Sequence, residues 1–439
     1  MTGIRSVSIN KHSEAACVIP FVLPFVHSPM SHSFFVGIGL LIVLTGDVWA
    51  ANLSFAPKTL LLGSTPRSIQ LADFNGDHQL DIAVVNGGGV NQNSVTVRLG
   101  EGNRTFANPI TTATGGLGAW DMTIADFNHD GKLDVAVTNN LGNNVSILLG
   151  NGDGTFRTAV LYPVHGGPTA IAAGDFNRDG HPDLAVVNSS TGDLSILLGN
   201  GDGTFRQGTL IPLGSSPTAV AVCDLNANGV LDLAVTNGAL GLREVQILAG
   251  NGDGTFRAQQ TVAVGNEPFA VAVGDFNHDG RPDLGVANLA SNNVSVLLSD
   301  TSGGLSPAVN YAAGNGPTGI RAASLTPKAP LSLIVSNDVS NTVAILTGNG
   351  DGTFQTAVSF PSGGYSNSIA VGDLDNDGYK DIAVANQGSI TILFNTTTTT
   401  TTTSLQMPAT FRVAPSTLTE PRASTTGPIP LDLISPIAR

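Results

Sequence analysis

TAIAAGDFNRDGHPDLAVVNSSTGDLSILLGNGDGTF, residues 169–205, decides the fold. An apolar run (169–174) enters an acidic loop (175–183). A second run (184–188) ends at Asn188, a polar link follows, and a third run (194–199) leads into the turn NGDGTF (200–205). The runs are short, rich in Val, Ile, Leu and Ala, and bounded by Gly, Asn and Asp. That is the pattern of strands, and no helical period of about 3.6 residues competes with it.

The arrangement recurs. The first loop position falls at Asp73, Asp126, Asp175, Asp224, Asp275, Ser324 and Asp373, at intervals of 49 to 53 residues. A further segment such as RQGTLIPL (206–213) completes each unit as four strands. Seven such units predict an all-β, seven-bladed β-propeller of four-stranded blades. The ends complement each other. SFAPKTLLLG (54–63) reads as a fourth strand with no unit of its own, and the last unit stops after its third strand, SITILF (389–394). The N-terminal segment is therefore expected to supply the outer strand of the last blade, leaving no open edge.

Composition agrees with a folded, non-nucleic-acid protein. Of 439 residues, 12% are charged and 41% hydrophobic, and the formal net charge is −14. Phosphate backbones demand basic patches, so nucleic acid is excluded as a partner. The two cysteines, Cys17 and Cys223, fall on either side of the expected cleavage point, so no internal disulfide is expected.

The acidic loops carry the chemistry. Carboxylates and amides at positions 1, 3 and 5 curl inward, Gly at 6 permits a sharp turn, the carbonyl of 7 is available, and Asp at 9 closes the set. Ca²⁺ takes about six to eight such oxygens, whereas Zn²⁺ prefers thiolate and imidazole. The expected ligands are Asp73, Asn75, Asp77 and Asp81; Asp126, Asn128, Asp130 and Asp134; Asp175, Asn177, Asp179 and Asp183; Asp224, Asn226, Asn228 and Asp232; Asp275, Asn277, Asp279 and Asp283; and Asp373, Asp375, Asp377 and Asp381. The last loop has four carboxylates and the fourth only two, so the fourth is expected to bind most weakly. The first has His78 where Gly is wanted, which requires a positive φ there. The sixth, Ser324–Ser332, has lost every carboxylate and is expected to hold no ion; Lys328 either replaces the ion or marks decay. Metal-free Asx turns are the alternative for all of them. An EF-hand is excluded, because position 12 of the second copy is Val137.

These units resemble the FG-GAP/VCBS repeats of integrin α-subunit propellers and of many bacterial secreted proteins. The resemblance covers about residues 54–395 and implies a propeller with Ca²⁺ in the loop joining the first and second strands of a blade. NGDGTF resembles the Asp-box turn of sialidase propellers, which is structural; Asn-Gly and Asp-Gly simply make tight hairpins.

Asn ends the second strand of every unit: Asn86, Asn139, Asn188, Asn237, Asn288, Asn337 and Asn386. These amides are expected to cap their own turns, with a ligand-binding ring as the alternative. The links on that face carry the irregular residues Trp120, His165, Phe269 and Tyr365, the candidates for a ligand face.

Residues 1–50 read as a leader whose signal peptide ends at Val48-Trp49-Ala50, with Met30 as an alternative start; 51–395 is the propeller; 396–439 is a Thr-rich linker and disordered tail. No nucleophile elbow, zinc-protease helix or nucleotide loop occurs. The expectation is a secreted or surface Ca²⁺-stabilised propeller that binds protein or glycan outside the cell. A polysaccharide lyase-like enzyme on this scaffold and a structural module of a larger surface protein are the alternatives.

Overall fold

The computed structural model describes residues 53–61, 65–87, 93–214, 216–238 and 241–397. The expected leader and all but two residues of the expected tail lie outside them. Among the described residues every regular element is a strand, and no helix is long and apolar enough to cross a membrane.

The strands form seven four-stranded antiparallel sheets. Each blade begins with an inner strand: Pro66–Ala72, Ala119–Ala125, Pro168–Gly174, Pro217–Cys223, Pro268–Gly274, Pro317–Ala323 and Ser366–Gly372. Each inner strand packs beside those of the two neighbouring blades, and Pro66–Ala72 meets Ser366–Gly372, so the ring is closed. Closure uses the chain ends as the sequence predicts. Phe55–Leu61 pairs antiparallel with Ser389–Asn395, from Phe55 opposite Asn395 to Leu61 opposite Ser389. The pairing continues past the expected propeller boundary, where Thr396 N–H donates to Ser54 O at 2.7 Å.

The second strands, Asp183–Asn188 and its equivalents, are buried along their whole length. They pair on both edges and pack between neighbouring blades on both faces, which is why they read as unbroken apolar runs. The fourth strands are outermost and alternate exposed with half-buried residues.

The Phe of each acidic loop and the Phe of NGDGTF bind blade to blade. Phe127 meets Phe205 edge-to-face at 5.4 Å, Phe176 meets Phe256 at 5.4 Å, and Phe276 meets Phe354 at 5.4 Å, each pair joining one blade to the next. Where the loop residue is Leu225, the partner is Leu305. The turn adds a backbone tie, Gly254 N–H to Phe176 O at 3.0 Å. NGDGTF is therefore inter-blade cement. Its Asp serves the turn itself, Asp202 Oδ1 accepting from Thr204 N–H and hydroxyl at 2.9 and 2.5 Å.

Candidate functional site

The acidic loops join first and second strands at one end of the ring and share one geometry. In the third, Asp175 Oδ1 accepts from Asp179 N–H at 3.1 Å and Asp175 Oδ2 from Gly180 N–H at 2.9 Å. Asn177 Oδ1 accepts from the same Asp179 N–H at 3.0 Å, and Asp179 Oδ1 from His181 N–H at 2.9 Å. These are Asx-type bonds, and they curl the side chains of positions 1, 3 and 5 inward. The fourth loop has the same curl, with Asp224 Oδ2 2.6 Å from Gly229 N, although positions 3 and 5 are neutral Asn226 and Asn228. The curl therefore needs no second carboxylate.

Position 6 is left-handed, including His78 at φ 65°. Position 4 is left-handed too, without glycine at His129, Arg178, Ala227, His278 and Asn376, whose φ runs from 55° to 60°. The sequence pattern does not announce this second strained position.

The Asp at position 9 has a duty the spacing does not reveal. Asp183 is buried, with Oδ2 accepting from Phe176 N–H at 2.9 Å and Oδ1 from Gly199 N–H at 2.8 Å. It thereby ties the loop to the end of the third strand. Asp81, Asp134, Asp232, Asp283 and Asp381 make the same pair of bonds. Burial pushes Asp81 and Asp183 up to about 6 and Asp381 up to about 7, against the pull of those N–H donors, and nearby loop carboxylates push the same way. So much desolvated like charge favours a cation nearby.

The donor set fits a hard divalent ion best in the last loop. One oxygen each from Asp373, Asp375 and Asp377 lies within 4.8 Å of the others. Elsewhere position 3 is an Asn, so the third oxygen is an amide's. The sixth loop has rebuilt itself without acid: Ser324 hydroxyl lies 2.8 Å from Thr326 O and 2.7 Å from Ala329 O. Lys328 is exposed and has no ion pair among the described residues, so it does not stand in for a cation.

At the opposite end, the seven Asn amides are buried. They bond inward, mostly to side-chain oxygens of the third strand: Asn139 to Ser146, Asn188 to Asp193 and Ser195, Asn288 to Asn293 and Ser295. Asn337 and Asn386 bond Thr342 and Thr391 in the same way and also reach the backbone oxygens of Ala313 and Ser362. They form no open ligand ring; nearby backbone, the expected partner, is met by Asn288 at Val286 O and Asn293 O, while the other amides find mainly side-chain oxygens.

Three of the four ligand-face candidates gather around the central channel. Trp120 and Phe269 line it, together with Arg67, whose guanidinium stacks 4.5 Å from the Trp120 ring. Tyr365, 59% exposed, sits in an adjoining hollow of about 200 Å³ that shares Arg67 and Asn367 with the channel. His165 lines neither cavity; its Nδ1 pairs with Asp193 Oδ2 at 3.0 Å. The channel volume is about 500 Å³. Two charged residues inside it, Asp121 and Arg321, escape a reading by motif. Stacking the seven inner strands in register is the signal that finds them, since their equivalents are small or uncharged.

The FG-GAP-like repeat family matches residues 73–137, 126–186, 175–235, 238–286 and 332–384. Together these span more than half of the chain and skip most of the altered sixth loop. A search of curated proteins gave no match. Among solved structures, the fold is similar to the BBS1N chain crystallised in complex with ARL6DN, at 12% identity and a TM-score of 0.56, covering 78% of this chain and 96% of that one. It is also similar to a candidate 6-phosphogluconolactonase from Bacteroides fragilis NCTC 9343, at 17% identity and a TM-score of 0.54, covering 68% and 85%. At these identities the likeness concerns the fold alone.

Proposed function

The chain belongs to the FG-GAP-like repeat family, and from that premise we propose that it is a secreted, Ca²⁺-stabilised binding propeller for an extracellular protein or glycan. The observation that carries this reading is a division of labour between the two ends of the ring. One end holds acidic loops of repeated geometry. The other gathers one-of-a-kind side chains, Arg67, Trp120, Phe269 and Tyr365, around a channel.

In six loops the residues at positions 1, 3 and 5, the carbonyl of position 7 and the Asp at 9 would hold the ion. The ion would supply the charge that the clustered carboxylates need. At about millimolar Ca²⁺ and Kd of about 10⁻⁴–10⁻³ M, each site adds roughly 0.4–1.4 kcal/mol. Secretion rests on the apolar run that ends at Ala50.

An aromatic ring at a channel mouth is a common anchor for sugar or protein. The experiment is binding of the full chain to glycan and matrix-protein arrays in Ca²⁺, beside Trp120→Ala. The reading expects specific binding that falls at least about tenfold in the variant; binding unchanged by the substitution contradicts it. The alternative, a polysaccharide lyase-like enzyme on the same scaffold, would draw on the same channel, where Asp121 is the one carboxylate among the lining residues.

A further inference from the structure

Equivalent positions recur layer by layer along the inner strands that surround the channel. One inner-strand position is alanine in four blades (Ala172, Ala221, Ala272, Ala370) and polar in three: Gln70 opposite Ala83, Thr123 opposite Ala136, and Arg321 opposite Ile334; Ala272 and Ala370 pack into the cores between blades. Gln70 and Thr123 belong to the adjacent first and second blades, and Arg321 belongs to the sixth, separated from Gln70 by Ala370 of the seventh. All three line the cavity of about 500 Å³. That volume falls within the range of about 300–1,000 Å³ typical of small-molecule sites.

Arg321 is the anomaly of this layer. A guanidinium has five N–H donors, and here one bond is made, from an Arg321 terminal nitrogen to Ile320 O at 3.0 Å. Arg321 has no ion pair among the described residues. Burial works against its cation, with Asp121 offsetting this through space. Asp121 itself is occupied: Ser68 hydroxyl and the N–H groups of Met122 and Ile171 donate to its carboxylate, tying it to both neighbouring blades. Gln70 and Thr123 side chains have no hydrogen-bond partner among the described residues. Arg321 is half-buried and lines the cavity, so its remaining N–H donors are available to a ligand there.

We propose that the channel binds a small hydroxylated carboxylate, with Arg321 gripping the carboxylate, Gln70 and Thr123 meeting its hydroxyls, and the lining alanines Ala170, Ala172 and Ala270 leaving it room. The guanidinium fork matches a planar carboxylate in two parallel bonds. Asp121, one layer nearer Trp120, limits the charge the site tolerates, so a monoanion is preferred to a dianionic phosphate. The proposal rests on reading this end of the ring as the ligand face.

The test uses the full chain carrying Trp49→Phe, so that Trp120 is its one indole. D-Glucuronate, D-glucose and inorganic phosphate are titrated in Ca²⁺, followed by Trp120 fluorescence and calorimetry. Saturable glucuronate binding is expected, with glucose and phosphate weaker. Arg321→Gln is expected to weaken glucuronate at least about tenfold, while its unliganded melting point holds or rises. Asp121→Asn is expected to tighten glucuronate several-fold. The proposal is overturned by no saturable glucuronate binding, by phosphate binding more tightly, or by Arg321→Gln binding as the parent does. Should Arg321→Gln fail to fold, Asp121→Asn decides, and unchanged or weaker affinity there overturns it. Failure on these counts leaves the array result for Trp120→Ala untouched, so the two readings fail separately.

Discussion

Arg104 Nε, in the first blade, lies 2.6 Å from Asp375 Oδ2 in the acidic loop of the seventh, and its terminal nitrogen lies 3.9 Å from Asp377 Oδ2. The guanidinium also packs 5.0 Å from the Phe394 ring, and Lys58 Nζ bonds to Arg104 O. The pair therefore joins the blade that closes the ring to the blade that opens it. It also puts a cation against the loop with four carboxylates.

Arg104 and Ca²⁺ should thus compete for Asp375. Replacing Arg104 with Gln is expected to lower stability in chelator, because the carboxylates lose their counter-charge. It should raise the Ca²⁺ affinity of that loop by roughly three- to tenfold. Calcium titration by calorimetry on parent and variant checks this; an unchanged affinity means the guanidinium does not occupy the ion's place.

The Phe–Phe pairs between blades should carry much of the ring's cohesion. Phe176 is fully buried and touches Phe256 of the next blade. Phe176→Ala is expected to cost about 3–5 kcal/mol, in the range for large-to-small core changes. Asp202→Ala, at an exposed turn, should cost far less. Urea unfolding followed by Trp fluorescence separates them, and equal costs would mean the turn matters for its own sake.

Cys223 is buried and unpaired, and burial pushes its thiol up to about 12, with Asp232 and Asp224 adding to the shift. The thiolate is the nucleophile, so a raised value leaves the thiol inert through neutral and mildly alkaline pH. A thiol-specific reagent should label it only at the rate of unfolding. Fast labelling of Cys223 itself in the native chain between pH 7 and 9, located by peptide mapping, would contradict the packing around it.

How much of this was legible follows from what repetition can encode. Seven spaced copies and a spare fourth strand at 54–63 specify the ring and its closure, because strand pairing obeys pattern. The curl of the loops was legible as well, since Asx bonds are local. The two backbone bonds of Asp183 were not, because Gly199 N is sixteen residues away. Nor was the site around Arg321. It consists of departures from the repeat, and a departure from alanine carries no motif. Among the irregular residues, Trp120 and Phe269 share an inner-strand position and so meet at the channel, whereas His165 lies in a link and finds Asp193 instead.

The central claim is that cations hold the acidic loops and thereby the ring. The most direct measurement is thermal unfolding of the full chain in millimolar Ca²⁺ and in excess chelator. Six loops at roughly 0.4–1.4 kcal/mol each imply a total of about 2–8 kcal/mol, so the midpoint should fall by many degrees when Ca²⁺ is removed. An identical midpoint in both buffers would contradict the claim and leave the loops as Asx turns that carry their charge unaided.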